Sequence, residues 1–348
     1  MSARFRPSMP FDRFAGIYLW LTFVVVFGVW KPGLFLTIST LHSVASANAP
    51  TALLGLAVLI PLCAGAYDLS AGATMNFATV VAVLLQTDGH MSMVPAVGVT
   101  VGIGVLIGAI NGLVVVRFKV NSFIATLGMS SVVLAFQVMI VGGTQPVPPS
   151  SPAWPELTTR TVFGFQIIVV YMLVIAVLVW WLLTRMTAGR YIYAVGGNAQ
   201  AARLAGVPVG RHVYLSFALS GLISGVGGVF YGSLYGPSLT YGSALLLPAF
   251  AAAFLGSVLL RGKFNVWGTV GAVYILATGI QGLQFVTSAQ WLGDMFNGVV
   301  LVVAVAFAIW RQNAAVKVRA QVKAEEIRQE SGDSLADVAR VSKATGTG

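Results

Sequence analysis

MVPAVGVTVGIGVLIGAINGLVVV, residues 93–116, runs for 24 residues without a charged side chain. A helix of about 20 such residues, rising 1.5 Å per residue, crosses the roughly 30 Å hydrocarbon core of a bilayer, so the stretch reads as a membrane span. Comparable windows fall near 15–30, 50–66, 71–87, 121–141, 165–184, 212–234, 245–260, 266–286 and 292–310, which makes ten candidate spans in all. The expected fold is therefore all-α, a polytopic transmembrane bundle of about ten helices. Composition agrees: 57% of the 348 residues are apolar and 9% charged, against about 25% charged in an average soluble domain. Two spans are irregular on paper. The one near 50–66 follows a polar, Pro-containing stretch (SVASANAP, 43–50), and the one near 245–260 is short; both read as candidates for broken or re-entrant helices.

The net charge of +10 raises the question of nucleic acid, and the distribution of that charge answers it. With the basic N-terminus (Arg4, Arg6, Arg13) in the cytoplasm, strict alternation puts 117–120, 185–211, 261–264 and 311–348 there too. All but Lys31 and Arg160 of the 20 Lys and Arg residues then lie inside. This asymmetry is the positive-inside rule, and it accounts for the basic balance with no nucleic acid partner. Both termini are expected in the cytoplasm: 1–14 as the N-terminal segment, 15–310 as the transmembrane domain and 311–348 as a charged tail, helical near 314–330 and disordered beyond. The N-terminus has features of a signal peptide, including the small residues Ala45-Ser46-Ala47, but Lys31-Pro32 interrupts the apolar run well before them, which favours a retained first helix. The Pro-rich stretch 142–163 is expected outside the cytoplasm and irregular.

Glycines at 104, 108 and 112 repeat every fourth residue, and the spacing recurs at 221/225 and 228/232. In lipid such small faces let helices approach closely. The cytoplasmic stretch 185–211 departs from the apolar pattern. It carries AVGGNAQAARLAGV (194–207), where Asn198 suits a helix N-cap, Ala201 and Ala202 favour helix, and Gly206 followed by Pro208 supplies a stop, giving a short helix near 198–206. On pattern alone this is either a handle for another protein or an inert loop that fixes topology.

No catalytic constellation is present. Cys63 is single, and His42, His90 and His212 are scattered, which argues against disulfides and a Cys/His metal site. The pair Gly262-Lys263 is followed by Phe264 and lacks the spacing of a nucleotide-binding loop, so no cofactor and no ATP site of its own is expected. Between residues 50 and 310 the acidic residues are Asp68, Asp88, Glu156 and Asp294. Asp68 reads as the cap of the following helix or part of a gate, and Asp294 as interfacial. Without a charge placed in the spans, the transported solute is expected to be uncharged. Amides on otherwise apolar helices, Asn76, Asn111, Gln137, Gln281 and Asn297, are the candidate lining of a translocation path. A self-sufficient secondary transporter or channel is the alternative reading; it calls for buried ion-coupling charges.

Four motifs resemble the permease subunits of bacterial ABC sugar importers, the ribose, arabinose and xylose permease family. GRYIYAVGGNAQAARLAGV (189–207) is similar to that family's GRxIYAIGGNxEAARLSGI, GAYDLSAG (65–72) to its GGIDLSVGS, and INGLVVVRFKVNSFIATLGM (110–129) to its NGxLIxxxxIxxFIxTLG. LLLPAFAAAFLGSVLLRGKFNVWGTVGA (245–272) is similar to AAVVLGGTSLFGGxGxxxGTxxGA. The motifs cover most of the chain from about 50 to 310. Departures are Gln200 where the family has Glu, Ser257-Val258-Leu259-Leu260 in place of a Gly-rich run, Pro248 near a usual acidic position, and the long tail. The resemblance implies an inner-membrane permease for a sugar or polyol that pairs with a second permease subunit. It also implies a separate ABC ATPase subunit gripping 194–207 and a periplasmic sugar-binding protein at loops such as 142–163. For coupling it points to Gly196, Gly197, Asn198, Ala201, Ala202, Arg203, Leu204 and Gly206.

Overall fold

The computed structural model describes residues 10–259, 263–287, 289 and 291–307. The chain divides into a unit Met1–Ala304 and a second, Val305–Gly348; the expected tail helix near 314–330 lies outside the described residues. The first unit opens with α1 (Pro10–Trp30), α2 (Pro32–Phe35), α3 (Ile38–Ala47), α4 (Ala49–Cys63), α5 (Ala71–Thr87), α6 (Met93–Arg117) and α7 (Ser122–Val141). A short α8 (Ala153–Thr159) and a two-residue hairpin, β1 (Thr161–Val162) with β2 (Phe165–Gln166), lead to α9 (Ile167–Arg185), α10 (Thr187–Gly197) and α11 (Ala199–Leu204). The chain continues through α12 (Val209–Tyr235), α13 (Tyr241–Ala244), α14 (Leu246–Leu259), α15 (Val266–Thr287) and α16 (Trp291–Phe307).

Seven segments among the described residues are long and apolar enough to cross a bilayer: Ile38–Cys63, Met93–Arg117, Ser122–Val141, Ile167–Arg185, Val209–Tyr235, Tyr241–Leu259 and Val266–Thr287. Three shorter apolar helices, Gly16–Trp30, Ala71–Thr87 and Trp291–Phe307, stand where the remaining spans were expected. The architecture is all-α and polytopic.

Helix α4 is apolar all round and every one of its residues is buried, as such a helix must be. Against it pack α12, α14, α15 and α9. Helix α12 in turn packs along α6, and here the four-residue glycine repeats meet. A Cβ on Gly108 would run into the Phe217 carbonyl, and one on Gly221 into the carbonyl of Gly104. The glycines thus bring two backbones into contact, the expected use of a small face. Gly228 does the same for α12 against Met75 of α5.

One local expectation is met and two need correction. The polar stretch 43–50 carries a helix break: Thr37 caps α3 by accepting the Thr40 N–H at 3.1 Å, α3 ends at Ala47, and α4 starts at Ala49 after a turn at Asn48. Pro50 is tolerated because it stands in the first turn of α4, where a backbone N–H has no partner to lose. The stretch 142–163 is not wholly irregular, because Pro152 starts α8. That helix is pinned to α12 by Trp154 Nε1 donating to the Gly232 carbonyl at 3.3 Å and by a 2.7 Å bond between Thr158 and Ser233. Finally, 185–211 is mostly helix, α10 and α11 in succession, with only the second of the two legible in advance.

Candidate functional site

Helix α10 follows α9 after a single residue and lies on the bundle through one face, where Gly189, Ile192 and Val195 are buried at three-residue intervals. Two glycines set its distance. A side chain on Gly189 would strike the backbone of Leu182 and Leu183, and one on Gly196 would strike the Cys63 carbonyl and the Gly65 amide. Tyr193 fixes the helix from another side, donating its hydroxyl to the Phe264 carbonyl at 2.7 Å. Burial pushes the Tyr193 phenol above its ordinary range, which keeps it a donor. Where α10 ends, Asn198 takes extended geometry and its Oδ1 accepts the Ala201 N–H at 2.9 Å, the cap expected of it. Gly206 closes α11 at φ +80°, a left-handed conformation natural to glycine, and the Val207 N–H returns to the Ala202 carbonyl at 3.0 Å.

Of the residues singled out for coupling, Ala202 faces inward, 6% exposed, and anchors α11. Gly196, Gly197, Asn198, Ala201, Arg203 and Gly206 are exposed, and Leu204, a large apolar side chain, is 91% exposed. The two adjacent glycines differ. Gly196 is held against the joint between α4 and α5, whereas a Cβ on Gly197 meets nothing within 4 Å.

That joint, residues 64–70, is held from every side. Tyr67 N–H donates to Ser122 Oγ at 3.1 Å and Leu69 N–H to Thr126 Oγ1 at 3.0 Å, both from the first turns of α7. Asp68 is buried. Its Oδ1 accepts the Ser70 N–H at 3.0 Å and the Ser70 hydroxyl at 2.7 Å, and its Oδ2 accepts the Ser220 hydroxyl of α12 at 2.7 Å. Ser70, not Asp68, occupies the N-cap position of α5. Asn111 of α6 donates to Ser70 Oγ at 2.7 Å, while its own Oδ1 is buried without a partner among the described residues. One carboxylate thus ties α12 to the joint, with α6 linked through Ser70, on the segment against which Gly196 rests.

The amides expected along a path divide into two groups. Asn76 of α5 and Gln137 of α7, both buried, bond to each other at 2.7 Å and converge on the Leu239 carbonyl; Asn111 lies on neighbouring α6. Gln281 and Asn297 sit instead on α15 and α16 and share no hydrogen bond with that group; Asn297 Oδ1 is buried and unpartnered among the described residues. The serines, threonines and tyrosines of this region went unremarked in the sequence: Ser220, Ser122, Thr126, and Tyr231, whose ring stacks on Tyr241 with centroids 4.4 Å apart. Hydroxyl residues on apolar helices are the signal that would have found them.

Residues 40–305 match the family model described as the branched-chain amino acid transport system / permease component. The chain belongs to this permease family. Similar proteins include the D-allose transport system permease protein AlsC of Escherichia coli (strain K12), 27% identical over 87% of this chain and 93% of that one. The fructose import permease protein FrcC of Rhizobium meliloti is 30% identical over 84% of each chain. The autoinducer 2 import system permease protein LsrD of Photorhabdus laumondii is 25% identical over 84% of this chain and 90% of that one. No solved structure matches the chain. The permease is a multi-pass protein of the bacterial inner membrane and the transport subunit of an ABC importer.

Proposed function

We propose that this permease carries a sugar or related polyol, received from a periplasmic sugar-binding protein, and that a separate ABC ATPase subunit drives the step. Allose and fructose permeases among its relatives support a polyhydroxylated solute, and the absence of any Asp, Glu, Lys or Arg from the amide cluster supports a neutral one. Membership of the permease family also favours this over a self-sufficient secondary transporter. The chain needs no cofactor of its own in this reading. It forms ten spans over 15–310 with both termini, 1–14 and 311–348, in the cytoplasm. Two permease subunits enclose the path, and 185–211 is the cytoplasmic coupling loop.

The observation that carries the proposal is the mounting of α10 and α11. An exposed, capped helix with a protruding Leu204 and Arg203 is built on a second helix whose Gly196 rests directly on the joint held by Asp68. A load on α11 reaches α5, α6, α7 and α12 through that joint. Asn198, Ala201, Ala202, Arg203, Leu204 and Gly206 form or shape the contact with the ATPase, Gly197 borders it and Gly196 passes its movement on. Asp68 serves as part of the inner gate, and Asn76, Asn111 and Gln137 line the path nearby; Gln281 and Asn297 belong to a second, outlying polar region.

Gly197→Trp and Arg203→Glu alter only this exposed surface. In the assembled transporter both are expected to leave the permease inserted and thermally stable while removing substrate-stimulated ATP hydrolysis by the partner. Ordinary stimulation in both variants would remove the handle; equal loss of expression would reduce the segment to a folding element.

A further inference from the structure

Beyond Tyr235 the chain does not run straight on to α14 at the rim of the bundle. Gly236, at φ +86°, turns it back along α5. Ser238 O accepts the Thr79 hydroxyl at 3.3 Å, Leu239 O accepts the Asn76 and Gln137 amides, and the backbone of Gly242 lies against that of Gly72. Helix α5 ends at Thr87, so at 1.5 Å per residue the stretch from Ser238 to Gly242 sits about 12–22 Å inside that end. Residues 236–240 are non-helical and lead into the single turn of α13. Non-helical backbone is tolerated at such depth only where protein or a wet passage meets its polar groups, and in transporters interrupted spans mark the solute's station.

The groups that meet it are suited to a second partner. Asn76 and Gln137 are 0% and 1% exposed; Gln137 Nε2 donates to Leu239 O at 2.9 Å, and Asn76 Oδ1 accepts the Gly242 N–H at 3.1 Å. Their hydrogen bonds to the segment all go to its backbone, so they hold it without regard to side chain. Tyr231, on α12, stacks on Tyr241, on the segment, and Ser243 Oγ on the same segment is buried with no partner among the described residues.

We propose that residues 236–244 form a movable wall of the path, and that the Asn76–Gln137 pair is a station for the hydroxyl groups of a neutral polyol. When the wall withdraws, the Leu239 carbonyl and Gly242 N–H leave the pair, and hydroxyls of the solute, able both to donate and to accept, take their places. The exchange leaves neither side-chain amide of the pair unpaired in either state, and the freed Leu239 carbonyl and Gly242 N–H turn to the water of the opened passage, which avoids the cost that an empty polar site carries. Withdrawal also uncovers the Tyr231 ring, a flat apolar surface for the carbon face of a sugar. Gly236 is the hinge, since its left-handed φ is open to glycine and strained for other residues. The inference rests on the reading above that the solute is a sugar.

The test uses proteoliposomes of the complete transporter, assayed with D-allose and D-fructose. Gln137→Leu removes one side of the station at similar volume, and the loss of its hydrogen bonds is expected to speed ATP-independent leak of internal labelled sugar by about five- to tenfold. Gly236→Val is expected to keep the vesicles tight and to slow ATP-driven uptake by about tenfold or more. If Gln137→Leu does not assemble, Gln137→Asn, one methylene shorter, reads the same leak. Vesicles of the Gln137 variant that stay tight and take up sugar at the wild-type rate overturn the inference alone. If the wild type takes up neither sugar with ATP, a panel of other neutral sugars and polyols is assayed, and if none of them is taken up the functional reading beneath it fails first.

Discussion

A methyl group at position 196 has nowhere to go, because it would overlap the Cys63 carbonyl, whereas one at position 197 meets open space. The two glycines are neighbours in sequence and opposite in role. Gly196→Val is therefore expected to destabilise the permease by about 1–3 kcal/mol, the usual range for overpacking a filled site, and Gly197→Val to leave its thermal midpoint in detergent unchanged. An equal loss in both would mean that α10 is not seated as described. Nothing in the string AVGGNA separates the two positions, since the discriminating atoms belong to residues 63–65, more than a hundred positions earlier. The same limit hid the pairing of Asn76 with Gln137 and of Asp68 with Ser220. Each residue was conspicuous as a polar group among apolar ones, but its partner lies on another helix.

Along whole helices the sequence was more informative. Span length and the absence of charge located the apolar helices because bilayer thickness imposes both, and the glycine repeat on α6 announced a close approach, though not to which helix. The contact with α12 makes a paired prediction. Gly108→Leu places a side chain against the Phe217 carbonyl and is expected to cost at least about 1 kcal/mol and to lower the denaturation midpoint. Gly102→Leu, on the same helix with nothing within 4 Å of its Cβ, is expected to leave that midpoint where it is. Chemical denaturation of the two variants in one detergent decides it; equal behaviour would deny the α6–α12 contact. Helix α10 was not foreseen because its sequence, TAGRYIYAVGG, carries three glycines and an arginine between two apolar spans and reads as loop. Its helicity comes from tertiary contact, with Ile192 and Val195 buried on one face and both packing glycines in register with the bundle. The segment after α12 that turns back along α5 showed in the sequence only as a short span near 245–260; its position depends on Asn76, Gln137 and Gly72, which no local pattern reveals.

For the molecule as a whole, sidedness comes first. The sidedness proposed from charge asymmetry has residue 149 outside and residue 197 in the cytoplasm. A reporter active only outside the cytoplasm is expected to be active when fused after Pro149 and silent after Gly197, and the reverse would unseat the coupling surface. Energy is the deeper question, because a bundle of apolar helices can serve an ATP-driven importer or an ion-coupled carrier. A charge at the bilayer centre costs about 3 kcal/mol on insertion scales and is kept there for ion coupling or a charged solute. Here the amide cluster of Asn76 and Gln137 contains no ionised side chain, and Asp68 is engaged by Ser70 and Ser220 at the joint against which α10 rests. The most direct measurement is sugar uptake into proteoliposomes that contain this permease, its ATPase and the binding protein, with ATP in the lumen and an ionophore present. The account predicts uptake that survives the ionophore and stops when ATP is withheld; uptake by the permease alone, driven by a proton or sodium gradient and abolished by the ionophore, would contradict it.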